Sequence, residues 1–156
     1  MPQFSFQFTR TTKAALPAAA RDLITAATDA AHTAYAPYSN FPVGAAARLS
    51  DGRILTGSNH ENASSPVGIC AERALLSGLD MRTPECSVKE MAVTYDGKPS
   101  GAPISPCGMC RQSILEVQHW QGCPVRLYLC APGDDVIVVD DAEWLLPFAF
   151  SGDMLE

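Results

Sequence analysis

Cys70-Ala71-Glu72-Arg73 and Pro106-Cys107-Gly108-Met109-Cys110-Arg111 impose a long-range constraint on this chain. If the three thiolates share one Zn²⁺, segments far apart in sequence must end side by side, with the fourth tetrahedral position left to water. Cys107 and Cys110 lie one helical turn apart, so a helix opening there turns both sulfurs the same way. Pro106 suits such a start. Cys70 follows the helix-hostile run Ser64-Ser65-Pro66-Val67-Gly68 and opens a second helix. Two helix N-termini then converge on the ion, and their free amides lower the thiolate pKa values. Glu72, two residues from the first thiolate, can carry protons to and from an activated water, a role for which a structural zinc site has no use. Three thiolates and an ionised Glu72 make an anionic site, and Arg73 and Arg111 are candidates to donate hydrogen bonds to the sulfurs. The competing reading is a closed zinc knot, with His60 or Cys123 as the fourth ligand. Three protein ligands with no matching fourth cysteine favour the open, hydrolytic kind of site.

The bulk composition narrows the substrate. The 156 residues suffice for one domain that buries its core without disulfides. A net charge of −6 argues against general affinity for nucleic acid or anionic membranes, and a small neutral substrate suits it. There is no uninterrupted apolar stretch of about 18 residues, so no membrane span is expected. No basic n-region and apolar h-region open the chain, so no secretory signal is expected either. Three of the six cysteines fall in the ligand pattern. The others, Cys86, Cys123 and Cys130, show no mutual spacing, and a reducing cytoplasm suits reactive thiolates.

Along the chain, Phe4-Ser5-Phe6-Gln7-Phe8 alternates with period two, reading as a short edge strand or an arm packed on a partner; a mobile tail is the alternative. Residues 1–15 are set apart as this arm, with one domain over 16–156. Apolar residues at Leu16, Ala20, Leu23, Ala27, Ala30 and Ala34 mark one face of a helix over Leu16–Tyr35, which Pro37 stops. Strands are expected at Val43–Leu49 and Ile54–Asn59, joined by the turn Ser50-Asp51-Gly52-Arg53. A helix over Cys70–Leu79, a strand over Glu90–Tyr95, a loop over Gly97–Pro106 and a helix over Cys107–His119 follow. Strands at Arg126–Cys130 and Val136–Val139 and an apolar segment over Trp144–Phe150 complete the chain. The order predicts a three-layer α/β/α domain on a mixed five-stranded sheet.

At these residues the chain resembles the small homotetrameric cytidine deaminases. C-A-E-R with P-C-x-x-C-R-Q is the cysteine version of the zinc deaminase signature. Tyr38-Ser39-Asn40-Phe41-Pro42-Val43-Gly44-Ala45-Ala46, Gly57-Ser58-Asn59-His60-Glu61-Asn62-Ala63 and Leu145-Leu146-Pro147 with Phe150-Ser151 extend the likeness over about residues 30–155. The resemblance implies that Cys70, Cys107 and Cys110 bind one zinc per subunit. It implies that Glu72 moves a proton from water to the pyrimidine N3 and then to the leaving amine. It further implies that Asn59 and Glu61 bind the ribose 3′-hydroxyl, that Phe41 packs on the base and that Ala71 offers main-chain groups to the pyrimidine edge. It also implies a homotetramer in which Phe150 reaches a neighbouring subunit's site. Alternation along a strand is consistent with the paired roles of Asn59 and Glu61. Phe41 as a plain core residue is the other reading of that position.

One departure stands out. Ser65 takes the place where the family commonly has a tyrosine bordering the ribose 5′ side, leaving more room there. The expected activity is hydrolytic deamination of cytidine and 2′-deoxycytidine to the uridines in pyrimidine salvage, with release of ammonia. Alternatives are a sibling deaminase of another aminopyrimidine or of a modified, bulkier nucleoside such as blasticidin S, and a noncatalytic zinc module.

Overall fold

The computed structural model describes residues 1–82, 87–98 and 101–155. Cys86 and part of the Gly97–Pro106 loop lie outside the described residues. The elements are strand β1 (Thr9–Thr12), helix α1 (Ala18–Ala31), β2 (Val43–Leu49), β3 (Ile54–Ser58), α2 (Ala71–Leu76), β4 (Val88–Tyr95), α3 (Gly108–Gln121), β5 (Arg126–Cys130) and β6 (Asp135–Val139). One mixed sheet has the order β1-β6-β5-β4-β2-β3. Only β4 and β5 run parallel, which follows from α3 crossing over between them.

Period-two alternation sorts the side chains of each strand into two layers. Ala46, Ala92, Tyr128 and Cys130 face α1, where they meet Leu23, Ile24 and Ala27. Ala45, Ala47, Met91, Val93, Leu127 and Leu129 face the opposite way, toward Leu75 of α2 and Ile114 and Val117 of α3. The expected three-layer α/β/α arrangement is present. Leu23, Met91, Ile114 and Leu127 are fully buried, each contributing about 1.5–3 kcal/mol over exposure.

The sheet has six strands rather than the expected five. The extra one is Thr9–Thr12, whose antiparallel register puts Thr9 opposite Val138 and Thr12 opposite Asp135. Its sequence, Thr-Arg-Thr-Thr, carries no apolar alternation, because an edge strand with no described helix above it is largely exposed. The ladder to β6 and an Arg10–Asp135 ion pair hold it. The alternating Phe4–Phe8 segment just before it is not a strand. Its rings follow one another at 6.2 and 6.3 Å, and Phe6 lies 6.4 Å from Trp144 near the C-terminus.

Helix α1 ends at Ala31, short of Tyr35. Pro37 disfavours helical geometry at Ala36, and the chain instead runs beside the end of β3. Tyr35 N–H donates to Asn59 O at 3.0 Å and Glu61 N–H to Tyr35 O at 2.8 Å. The Cys70–Leu79 helix is also shorter than expected, ending at Leu76.

Helix α2 lies almost directly on β3 because of Gly57. A Cβ at that position would stand 2.6 Å from both Ala71 O and Leu75 N. The glycine therefore sets how close the first turn of α2, with Cys70 and Glu72, can come to the sheet. Gly57→Ala is expected to lower thermal stability by about 1–3 kcal/mol through overpacking. Gly108→Ala, where a Cβ meets nothing within 4 Å, is expected to leave the melting temperature unchanged. Parallel thermal melts of the two variants check this.

Candidate metal centre and adjoining pocket

Cys70 and Cys107 occupy the N-cap positions of α2 and α3, both with extended backbone. Neither side chain caps its own helix, so both sulfurs are free to ligate. Cys70 Sγ lies 3.8 Å from Cys107 Sγ, and Cys107 Sγ lies 3.5 Å from Cys110 Sγ. All three ligand atoms fall within 4.8 Å of one another. A tetrahedral ion with Zn–S bonds of about 2.3 Å spaces its sulfurs about 3.8 Å apart, so the triad fits one Zn²⁺. Among the described residues neither His60 nor Cys123 joins this cluster. Cys110 is buried, Cys70 half-buried and Cys107 exposed, so the triad opens to solvent on one side.

The thiols hold their protons unequally. Cys70 is pulled down to about 6, first by hydrogen bonding with Cys110, against burial, and then by Cys107; Arg73 adds a smaller electrostatic pull. Cys110 is pushed up by its partnership with Cys70, by burial and by the charge of Glu72. A divalent cation resolves such a split by ionising all three sulfurs. Glu72 sits in the first turn of α2 and is only 4% exposed. Burial raises its pKa, while its own backbone N–H and the Cys110 thiol act in the opposite sense. A carboxyl group whose proton affinity is raised by burial is suited to taking and returning a proton.

Arg111 does not serve the sulfurs. Its guanidinium donates to Pro106 O at 2.8 Å, Leu145 O at 3.0 Å and Ser105 Oγ at 3.0 Å. It ties the start of α3 to the preceding loop and to the C-terminal segment, so its adjacency in sequence to Cys110 reflects a structural anchor. Arg73 contributes its charge near Cys70 from the same helix.

Beside the triad lies a cavity of about 390 Å³ that reaches Cys70 and is lined in part by Asn59, Glu61, Tyr38 and Ser65. This volume is within the range of small-molecule sites. Asn59 and Glu61 shape its wall by holding backbone. The Asn59 carboxamide accepts from Val43 N–H at 2.7 Å and donates to Phe41 O at 3.1 Å. Glu61 Oε2 accepts from Tyr38 N–H at 2.8 Å and Ser39 N–H at 3.2 Å. Hydrogen bonding by the Ser39 side chain first, then by the Tyr38 N–H and least by the Ser39 N–H, holds the Glu61 carboxyl below its usual pKa. Ser39 Oγ in turn accepts from Phe41 N–H at 3.1 Å, across Asn40 with its φ of +53°. The whole 38–43 loop is thus held by two side chains from the end of β3.

Phe41 is not a plain core residue. It is 42% exposed and stacks on Tyr95 with centroids 4.8 Å apart and planes at 22°. Ala71 is fully buried at the first turn of α2. Phe150 is exposed, and its carbonyl accepts from Gln112 Nε2 at 2.9 Å. The sequence reading missed Tyr95, Ser39 and the anchoring role of Arg111. An aromatic residue ending a buried strand just before Asp96-Gly97 was the available signal for Tyr95.

The profile of the cytidine and deoxycytidylate deaminase zinc-binding region matches residues 18–121. The cytidine deaminase of Halalkalibacterium halodurans is 38% identical over 84% of this chain and 93% of its own. That of Mycobacterium tuberculosis is 47% identical, but the match spans 58% of this chain and just under two thirds, 65%, of the relative. The crystal structure of cytidine deaminase from Burkholderia pseudomallei superposes with a TM-score of 0.71 at 39% identity, covering 83% of this chain and 98% of that one. The M. tuberculosis structure gives a TM-score of 0.64 at 35% identity, covering 84% and 96%.

Removal of one sulfur should show which residues hold the metal. Cys110→Ser is expected to abolish stoichiometric zinc, whereas Cys123→Ser should retain one zinc per chain. Metal analysis of the purified variants measures both.

Proposed function

Because the chain belongs to the cytidine and deoxycytidylate deaminase family, we propose that it hydrolyses the exocyclic amine of cytidine and 2′-deoxycytidine, giving the uridines and ammonia. The observation that carries this reading is a buried carboxyl group, Glu72, beside three sulfurs spaced for zinc, one of which, Cys70, borders a cavity of about 390 Å³. A closed structural knot has no use for such a carboxyl group or cavity. Cys70, Cys107 and Cys110 hold the ion, which when bound supplies the Lewis acidity that brings the pKa of a water from 15.7 toward about 7.

Glu72 takes the proton of the attacking water and delivers it to N3 of the ring as the oxygen adds to C4. The second water proton passes through Glu72 to the exocyclic nitrogen. The C4–N bond then breaks, ammonia leaves and the C4 carbonyl forms. Burial of Glu72 keeps competing water from the carboxyl group and raises its proton affinity for both transfers. Asn59 and Glu61 bind the ribose 3′-hydroxyl with hydrogen-bonding capacity beyond their hold on the 38–43 loop. Phe41 packs on the base, and Ala71 presents main-chain groups to the pyrimidine edge. In a homotetramer, Phe150 completes the site of a neighbouring subunit, consistent with its exposure in the single chain.

The negative net charge and the small cavity favour a free nucleoside over a polynucleotide. Among the described residues no helix is long and apolar enough to cross a membrane. We place the activity in cytoplasmic pyrimidine salvage, where reduced thiolates persist. A second reading is favoured by Ser65, which lines the cavity beside Ala63 and Gly68. These three small residues leave space for a substrate enlarged on its 5′ side.

Glu72→Gln is expected to keep one zinc per chain and to lose at least about 10²–10⁴ in kcat, the usual worth of a positioned proton carrier. Ultraviolet assay of cytidine turnover beside zinc analysis tests it; retained turnover excludes the shuttle. A panel of cytidine, 2′-deoxycytidine and 5′-enlarged analogues separates the two substrate readings. Preference for the unmodified nucleosides supports the first.

A further inference from the structure

Tyr95 is the last residue of β4, and it stands between two segments that serve the site. On one side is the 38–43 loop. Val43 pairs with Tyr95 across the β2–β4 ladder, and Asp96 N–H donates to Pro42 O at 2.9 Å. That register delivers Phe41 onto the Tyr95 ring, giving the 4.8 Å stack. On the other side is the segment leading to Cys107. Tyr95 Oη donates to Ala102 O at 3.1 Å.

The chain makes room for this ring. A Cβ on Gly97 would lie 2.8 Å from Tyr95 Cε2, and a Cβ on Gly101 would collide with Tyr95 Oη. The close approach at Gly101 brings Ala102 O within reach of the hydroxyl. Beyond Ala102, Ile104 N–H donates to Cys130 O at 3.3 Å, and Pro106 O accepts from Arg111, which settles the segment just before the ligand Cys107. Of these anchors, only Tyr95 also touches the loop that carries Phe41.

We propose that Tyr95 is a positioning residue that uses its ring to hold Phe41 at the base and its hydroxyl to hold the segment that presents Cys107. The two functions are separable because they use different parts of one side chain. This inference rests on the reading of Phe41 as a base contact.

Four variants of the zinc-loaded full chain, three single and one double, test it, each read by KM and kcat for cytidine, by zinc loss to a chromogenic chelator and by thermal melting. Tyr95→Leu removes the stack and is expected to raise KM about 2- to 12-fold, the worth of an aromatic pair. Tyr95→Phe keeps the stack and loses only the hydroxyl. Its KM should match the parent, while zinc loss accelerates about 2- to 12-fold, the worth of one neutral hydrogen bond. Phe41→Ala should raise KM at least as far as Tyr95→Leu, and the double variant should add nothing further.

A merely structural tyrosine would lower the melting temperature in both Tyr95 variants without separating KM from zinc retention. That result overturns the inference. So does a raised KM in Phe41→Ala beside a parental KM in Tyr95→Leu, which leaves the base contact of Phe41 standing. A parental KM in Phe41→Ala removes the base contact itself and the inference with it.

Discussion

Three sulfurs within 4.8 Å of one another, with Cys107 at 3.8 and 3.5 Å from the other two, cannot all be anionic without a cation among them. At an effective dielectric of about 20, each such pair repels by about 4 kcal/mol. The uneven proton affinities of Cys70 and Cys110 express that repulsion, and a divalent ion with tetrahedral preference removes it. The fold brings the sulfurs this close by ending two loops at neighbouring helix starts. Helix α3 supplies Cys110 one turn in from Cys107, and α2 supplies Cys70 from directly above β3. Gly57 sets that height, so a missing side chain in the sheet helps determine where the start of α2, with Cys70, stands.

The same helix start places Glu72. Its burial follows from the packing of α2 against the sheet, with Ala71 and Leu75 buried beside it. An ionisable group buried this way costs stability in its charged form. Here the cost takes the form of a raised proton affinity beside the sulfur cluster, the property on which the proposed proton transfer draws. Structure and chemistry are therefore coupled at one helical turn.

Around the cavity and at the start of α3, polar side chains act chiefly on the backbone. Asn59 and Glu61 spend hydrogen bonds on the 38–43 loop, and Arg111 spends its guanidinium on three oxygens near the C-terminal segment and Pro106. Among the described residues no buried side-chain nitrogen or oxygen lacks a partner. The loops of this site are thus held by specific bonds where regular secondary structure ends. Precision at a site assembled from loops depends on such support.

Much of this was legible in the residues themselves. The ligand triad and Glu72 stand out because metal chemistry demands particular residue types at helical spacing, and β2 and β5 carry apolar runs that match their observed limits. A short edge strand was one reading of residues 1–15, but its place was not legible, since Thr9–Thr12 is an exposed edge with no alternation and its pairing partner, β6, lies far along the chain. Arg111 looked like a donor to sulfur because sequence shows adjacency and not direction. Only the packed structure aims its guanidinium at Leu145 and Pro106. The amino-acid sequence alone determined which groups could bind a metal and move a proton, because those capacities belong to side-chain chemistry. Tertiary structure decided how near they stand, which of them are buried and which side chains hold the surrounding loops, because distance and desolvation arise only when remote segments pack together.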